Sequence, residues 1–311
     1  MNYLKDFVSS RLKLLPSTKE EEGLKILLST LQSQFGENLI AILLYGSYLR
    51  GSRDTVIDFY VIVENYEDAF DSRSECLGAY LMPPNVYYLS KSFNGQNLRA
   101  KYAVVSSAQI QKKVNSVHPY FWARLAQPTR LVFLRKASDY DLLVEIVSQA
   151  IHTFLDRMTP MMSGSFEPSY FWKTGFNLTY RSELRAEKPS RIESMFAYDP
   201  SYYAALIELA SKSGIFRESY EDGHTRYFAV EKTSMFWANI FWSWTIVIGK
   251  CLSLIRLIKG AVTFDGAVDY ILWKIERHSG VQIEASDRQR KYPLLFAWPL
   301  LWKLFRLRAF R

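Results

Sequence analysis

The spacing of apolar residues changes along the chain, and the changes mark its elements. In residues 1–35, Leu4, Phe7 and Val8 fall on one helical face, and the pattern predicts helices broken near Pro16. Residues 39–44 (LIAILL) form an unbroken apolar run closed by Tyr45-Gly46-Ser47, which predicts a buried strand entering a turn. Residues 56–63 predict a second strand, enriched in β-branched side chains. Residues 86–89, 102–106 and 131–134 predict further strands, and residues 114–126 predict a helix. Beyond Asp139 the period is mainly helical, over 141–158, 167–186 and 202–212. Residues 215–232, with Phe216, Tyr220 and Tyr227-Phe228-Ala229-Val230, predict a small hairpin.

This order predicts an α+β chain whose sheet-forming half precedes a helical half. The expected units are residues 1–137, a helical second domain over 138–232, and basic apolar helices over 233–311. A length of 311 residues suits one large domain or two ordinary ones, and no repeat or low-complexity tract interrupts it. With 49% hydrophobic and 23% charged residues, wholesale disorder is excluded. Two cysteines, Cys76 and Cys251, make no disulfide framework and suit a reducing compartment. Neither they nor the four histidines show the spacing of a structural zinc site.

The net charge of +8 is unevenly placed. Residues 288–311 hold seven Lys or Arg and no acid, interleaved with Trp298, Trp302, Leu304, Phe305 and Phe310. That combination fits an amphipathic helix in a membrane interface, its cations meeting anionic head groups. A core helix with a basic edge, or nucleic-acid binding through stacked aromatics, are the alternatives; the continuous greasy surface speaks against the last. Residues 233–249 carry no charge for 17 positions, short of the roughly 20 apolar residues of a span. Lys250, Arg256 and Lys259 follow within a helical pattern of Leu252, Leu254, Ile255, Leu257 and Ile258, a second basic apolar segment. The N-terminus lacks the apolar core of a secretory signal, and Glu20-Glu21-Glu22 argues against a transit peptide.

The chemistry concentrates in Leu43-Leu44-Tyr45-Gly46-Ser47, a loop, and then Ile57-Asp58-Phe59-Tyr60-Val61. An apolar strand, Gly-Ser, a gap and an acid opening the next strand resemble the polymerase-β-like nucleotidyltransferase superfamily. Gly46 admits phosphate without a Cβ clash. Ser47 offers a hydroxyl and an N–H at an expected helix start, and Asp58 offers a ligand for Mg²⁺. The superfamily's second acid, two residues on, is replaced by Tyr60. Glu64 shares that strand face but lies roughly 20 Å away, too far to share a metal.

Three further segments follow in order: Leu81-Met82-Pro83-Pro84-Asn85-Val86-Tyr87-Tyr88, Leu98-Arg99-Ala100-Lys101-Tyr102-Ala103-Val104-Val105-Ser106, and Trp122-Ala123-Arg124-Leu125-Ala126-Gln127-Pro128-Thr129-Arg130. Together with the Asp58 strand they resemble the mitochondrial-type phosphatidate cytidylyltransferase (translocator assembly and maintenance) family, over most of residues 40–225. The resemblance implies a nucleotidyltransferase-like mixed sheet with flanking helices, a mainly helical second domain and a membrane-associating C-terminus. It implies transfer of CMP from CTP to phosphatidic acid with Mg²⁺, giving CDP-diacylglycerol and pyrophosphate. Asp58 and Lys101 are then the catalytic candidates, Asp58 also the metal ligand, and Tyr45, Gly46, Ser47, Arg181 and Arg185 the binding candidates. Arg99, Arg124 and Arg130 are weaker phosphate contacts. The expected partners are CTP, phosphatidic acid and an anionic membrane surface, with no nucleic acid. The expected location is the cytoplasmic face of a bacterial inner membrane or, alternatively, the matrix side of the mitochondrial one. A soluble nucleotidyltransferase with another acceptor, and a non-catalytic membrane-binding module on a decayed fold, are the competing readings.

Overall fold

The computed structural model describes residues 2–13, 22–52, 55–183, 189–221, 223–230 and 234–263, with 286 and 288. Two helices, α1 (Asn2–Arg11) and α2 (Glu22–Phe35), precede a five-stranded mixed sheet. Its strands are β1 (Leu39–Tyr45), β2 (Ile57–Val63), β3 (Asn85–Phe93), β4 (Gln96–Ser106) and β5 (Arg130–Leu134), in the order β3-β4-β2-β1-β5. Among the described strands only β2 and β4 pair in parallel; the crossover between them carries α3 (Arg73–Leu81) and β3. Helices α4 (Ser107–Lys113) and α5 (Trp122–Leu125) lead to β5. Then come α6 (Tyr140–Met158), α7 (Pro168–Arg181), α8 (Pro189–Tyr198), α9 (Pro200–Lys212), the hairpin β6 (Phe216–Glu221)–β7 (His224–Ala229) and α10 (Met235–Thr263). The architecture is α+β, as the order of hydrophobic periods predicts.

Strand periodicity divides two apolar clusters between the faces of the sheet. Ile57, Phe59, Val61 and Val63 pack with the Leu24, Leu27, Leu31 and Phe35 stripe of α2. Tyr60 and Ile62 join the opposite cluster, which continues through α1, α6, α7 and α9 to Trp242 of α10. The sheet and the helices beyond residue 137 therefore share one core.

Several elements differ from expectation. The helix expected over 114–126 is displaced: α4 starts at Ser107, capped by the Ser106 hydroxyl accepting from the Gln109 N–H, and a loop through Pro119 separates it from α5. The segments expected at 86–89 and 102–106 are parts of one long hairpin. It turns at Asn94 and Gly95, both at positive φ (48° and 76°), the signature of a tight primed turn. α3 and α8 were not legible; α3 buries only Ala79 and leaves Leu77 and Leu81 outside. The hairpin expected over 215–232 is present as β6–β7. The amphipathic segment expected over 288–311 lies outside the described residues, Arg288 apart.

Residues 235–249 and the basic pattern after Lys250 belong to one helix, α10, of 29 residues. Its stretch Met235–Arg256 is long and apolar enough to cross a membrane by length and composition. One seam of it, however, packs on the protein: Ala238, Trp242, Thr245 and Gly249 are buried, and Leu252, Arg256 and Lys259 continue the line at the same alternating spacing, partly covered. The Trp242 indole donates to the Arg157 carbonyl at 3.3 Å. Lys259 donates to the carbonyls of Gly78 (2.9 Å), Met82 (2.6 Å) and Pro84 (3.4 Å), closing the C-terminal end of α3. Burial, and secondarily Arg256, pushes the Lys259 ammonium down to about 8.

His118, in the loop before α5, faces Gly249 of this seam. Its Nδ1 accepts from the Tyr120 N–H at 3.2 Å, and its Nε2 is buried without a hydrogen-bond partner among the described residues. Burial, and secondarily Arg256, holds the imidazole at about 4, below its ordinary 6.5. The sign follows directly. Between these two values the unfolded chain binds a proton that the folded chain does not, so stability falls as pH drops from about 6.5 towards 4. Replacing His118 with Gln is expected to flatten urea-denaturation stability across that window; an unchanged slope would refute the assignment.

Candidate functional site

Register assembles the site. In the antiparallel β1–β2 pair Asp58 lies opposite Tyr45, and in the parallel β2–β4 pair it lies beside Lys101. Alternation puts Tyr45, Asp58 and Lys101 on one face of the sheet, at the end where β1 runs into Gly46. Lys101 Nζ stands 3.7 Å from Asp58 Oδ1, with side chains 21% and 24% exposed. The pair is thus open to solvent at its outer edge.

Gly46 sets the approach. Its φ is +89°, and a Cβ placed there would sit 2.8 Å from Asp58 Oδ2. The carboxylate therefore faces the turn, and only glycine satisfies both the backbone and the space. The turn itself differs from expectation. Ser47–Gly51 is a tight turn closed by Arg50 N–H to Ser47 O and Gly51 N–H to Tyr48 O, both 3.1 Å, and not the first turn of a helix. An anion site at a helix N-terminus is absent there. The Ser47 hydroxyl instead bonds the Thr55 hydroxyl at 2.9 Å.

Beyond this turn opens a pocket of about 490 Å³ lined by Ser47, Arg50, Ser52, Thr55, Arg191 and Ser194, among others. Two arginines and five hydroxyl-bearing side chains, Tyr198 among them, line it, a donor set suited to phosphate oxygens. Arg50 comes from the turn after Gly46, and Arg191 reaches the pocket from α8, which no sequence period announces. A larger cavity, about 720 Å³, lies between residues 159–164 and the β6–β7 hairpin. Among the described residues its charged lining is Arg217 and Glu218, with no cluster of titratable groups.

Tyr60, where the resemblance expects a second acid, offers no ligand. It is fully buried, its ring stacked between Tyr45 (4.7 Å) and Phe121 (5.8 Å), and its hydroxyl meets no partner among the described residues. Burial pushes that phenol far above its ordinary range, so it stays neutral. Glu64 is engaged at the other end of β2 by Arg135, at 2.5 Å. No group of three or more His, Cys, Asp or Glu that could hold a metal occurs among the described residues. Among the described residues the donor set is one carboxylate, Asp58. It fits a magnesium ion that arrives with a triphosphate and its waters, since Mg²⁺ is commonly held by one or two carboxylates plus substrate phosphates.

The arginines divide. Arg124, a weak phosphate candidate, is committed to Glu183 at 2.7 Å, each 11% exposed, and to the Tyr120 carbonyl at 2.6 Å. It is a structural ion pair. Arg181 ends α7 with its side chain exposed, and no hydrogen bond or ion pair joins it to the Asp58 cluster. Arg185 lies outside the described residues. Arg130 lines a small crevice with Arg11 and Asp199, away from Asp58.

No protein-family model matches this chain, and no curated protein matches it.

Proposed function

We propose that the protein is a magnesium-dependent nucleotidyltransferase acting on an acidic lipid, in the first instance CTP:phosphatidate cytidylyltransferase. The observation that carries this reading is the Asp58 carboxylate turned onto the Gly46 turn, with Lys101 beside it and a cationic, hydroxyl-rich pocket adjoining. Asp58 would hold the ion, which when bound supplies charge neutralisation to the nucleotide phosphates. Arg50 and Arg191 would grip the outer phosphates, and Lys101 would balance charge gathering at the reacting phosphorus.

The acceptor brings its own nucleophile. A phosphate oxygen of phosphatidic acid attacks the α-phosphorus of CTP, a new P–O–P bond forms, and the bond to pyrophosphate breaks. A phosphomonoester is largely ionised near pH 7, so no serine or cysteine nucleophile is needed. Placing the two phosphates together against their repulsion is the main work of the site. The apolar outer face of α10 and the basic segment over 288–311 support a peripheral seat on an anionic membrane. The inner membrane of a bacterium, at its cytoplasmic face, is the proposed place.

The test is pyrophosphate release by the full chain from each of the four ribonucleoside triphosphates. Vesicles containing phosphatidic acid, with and without Mg²⁺, serve as acceptor, and a soluble sugar phosphate as the competing one. Magnesium-dependent release with CTP and phosphatidic acid is expected. Release only with the soluble acceptor would move the protein to another transferase class. No release with any pair would support the decayed-fold reading, which the buried Tyr60 favours.

A further inference from the structure

The C-terminal part of α10 is built inside out. Its inward seam, apolar at Ala238 and Trp242, turns cationic at Arg256 and Lys259, while Val247, Ile248, Leu254 and Ile255 stand 46–55% exposed on the outside. In water both halves of that arrangement are unfavourable: apolar side chains are wet and cations are covered. Lys259 is satisfied by the three carbonyls at the end of α3.

Arg256 is not. Its guanidinium lies 4.2 Å from the centroid of the Tyr120 ring, the same ring that carries Arg124 at 4.1 Å. Its Nε and Nη1 are buried with no hydrogen-bond partner among the described residues. Among the described residues Glu183 is the one carboxylate that bears on it, and burial still lowers the guanidinium from its ordinary range. Glu183 is held by Arg124, and among the described residues the other ionisable groups bearing on Arg256 are Lys259, Lys113 of α4, His118, Tyr60 and Tyr120, none of them a carboxylate. Burial together with Arg256 lowers the Lys113 ammonium as well. A covered fork-shaped donor with two idle N–H groups beside a second cation lacks an anion.

We propose that Arg256 and Lys113 hold the phosphate of a phosphomonoester lipid, with Tyr120 as one wall of its seat and the outer face of α10 against the acyl region. Two cations match the charge of −1.5 to −2 that such a head group carries near pH 7. The guanidinium fork suits a terminal phosphate better than a diester, which offers fewer free oxygens. The lipid source follows from the continuity of Leu254 and Ile255 with the exposed Trp244, Val247 and Ile248 along the same helix. With lipid over those residues, both halves of the inside-out helix are in suitable surroundings. The site deepens the transferase reading and rests on it for its purpose, since it would present the acceptor phosphate.

The experiment is flotation of the full chain, without nucleotide, on phosphatidylcholine vesicles carrying phosphatidic acid or phosphatidylglycerol at matched surface charge. The wild type is expected to bind the phosphatidic acid vesicles about tenfold more tightly. Arg256→Met is expected to bind both equally, at the phosphatidylglycerol level, with thermal stability no lower than the wild type, because it removes an uncompensated covered cation. Lys113→Gln is the second variant and is expected to narrow the preference. Retention of the full preference in both variants overturns the proposal. So does a wild-type thermal shift as large with inorganic phosphate as with dihexanoyl phosphatidic acid, which would assign the seat to a free anion. Because no nucleotide is present, a preference lost with Arg256 while no nucleotide is ever turned over keeps the lipid site and sinks the transferase.

Discussion

Asp58→Asn is expected to reduce magnesium-dependent pyrophosphate release by about 10³-fold while leaving the protein folded. The activity loss follows from position. Asp58 is the carboxylate that the Gly46 turn exposes, and the residue two places on, Tyr60, is a sealed phenol that cannot substitute for it. An amide keeps the shape and removes the charge, and losing one preorganised electrostatic contact of this kind costs about 10²–10³-fold in other enzymes. The fold survives for a different reason. The Asp58–Lys101 pair spans 3.7 Å with both side chains about a quarter exposed, and such pairs contribute about 0–1 kcal/mol. Steady-state turnover read together with the thermal midpoint separates the two effects. Unaltered turnover would remove Asp58 from the site, and a collapsed midpoint would make it a structural residue.

The second large effect is expected at Gly249. Glycine inside an exposed helix usually costs about 1 kcal/mol relative to alanine, so Gly249→Ala would ordinarily stabilise α10. Here the sign reverses. A Cβ at that position would collide with the Ser182 carbonyl oxygen, a backbone atom that cannot step aside, and would also press on the His118 ring nitrogen. Overpacking of this sort costs about 1–3 kcal/mol, more than the helix gains. Loss of Trp242 burial and of the Lys259 contacts should follow as α10 lifts. Faster hydrogen exchange confined to α10 and the 116–120 loop, with a lowered thermal midpoint, is the expected result. A stabilised variant would show that α10 does not dock through this seam.

The site and its scaffold were not equally legible. The buried run before Gly46, the β-branched strand carrying Asp58 and the β6–β7 hairpin were readable because each element displays its own period within a few residues. The Asn94-Gly95 turn is also a local signal, yet the mixed, half-exposed strands on either side of it obscured the hairpin. α3 escaped because its one buried side chain is Ala79, so it shows almost no amphipathic face. The displaced helix near residue 114 has a comparable cause: the capping Ser106 and the loop through Pro119 set the boundaries, and the apolar residues from Phe121 to Leu125 pack from a single short turn.

By itself the sequence determined which local elements exist and that a Gly-Ser turn and an aspartate stand at neighbouring strand ends, because strand period and glycine's freedom act over a few residues. It also determined where the cationic apolar segments lie. Tertiary structure alone decided that Lys101 stands beside Asp58, through a parallel register between strands separated by a helix and a further strand. It decided that Arg191 joins the Ser47 pocket and Arg124 does not, and that α10 turns Arg256 and Lys259 inward while Lys250 stays outside. These are long-range pairings, fixed by which buried surfaces fit and which charges find partners, and no local period encodes them.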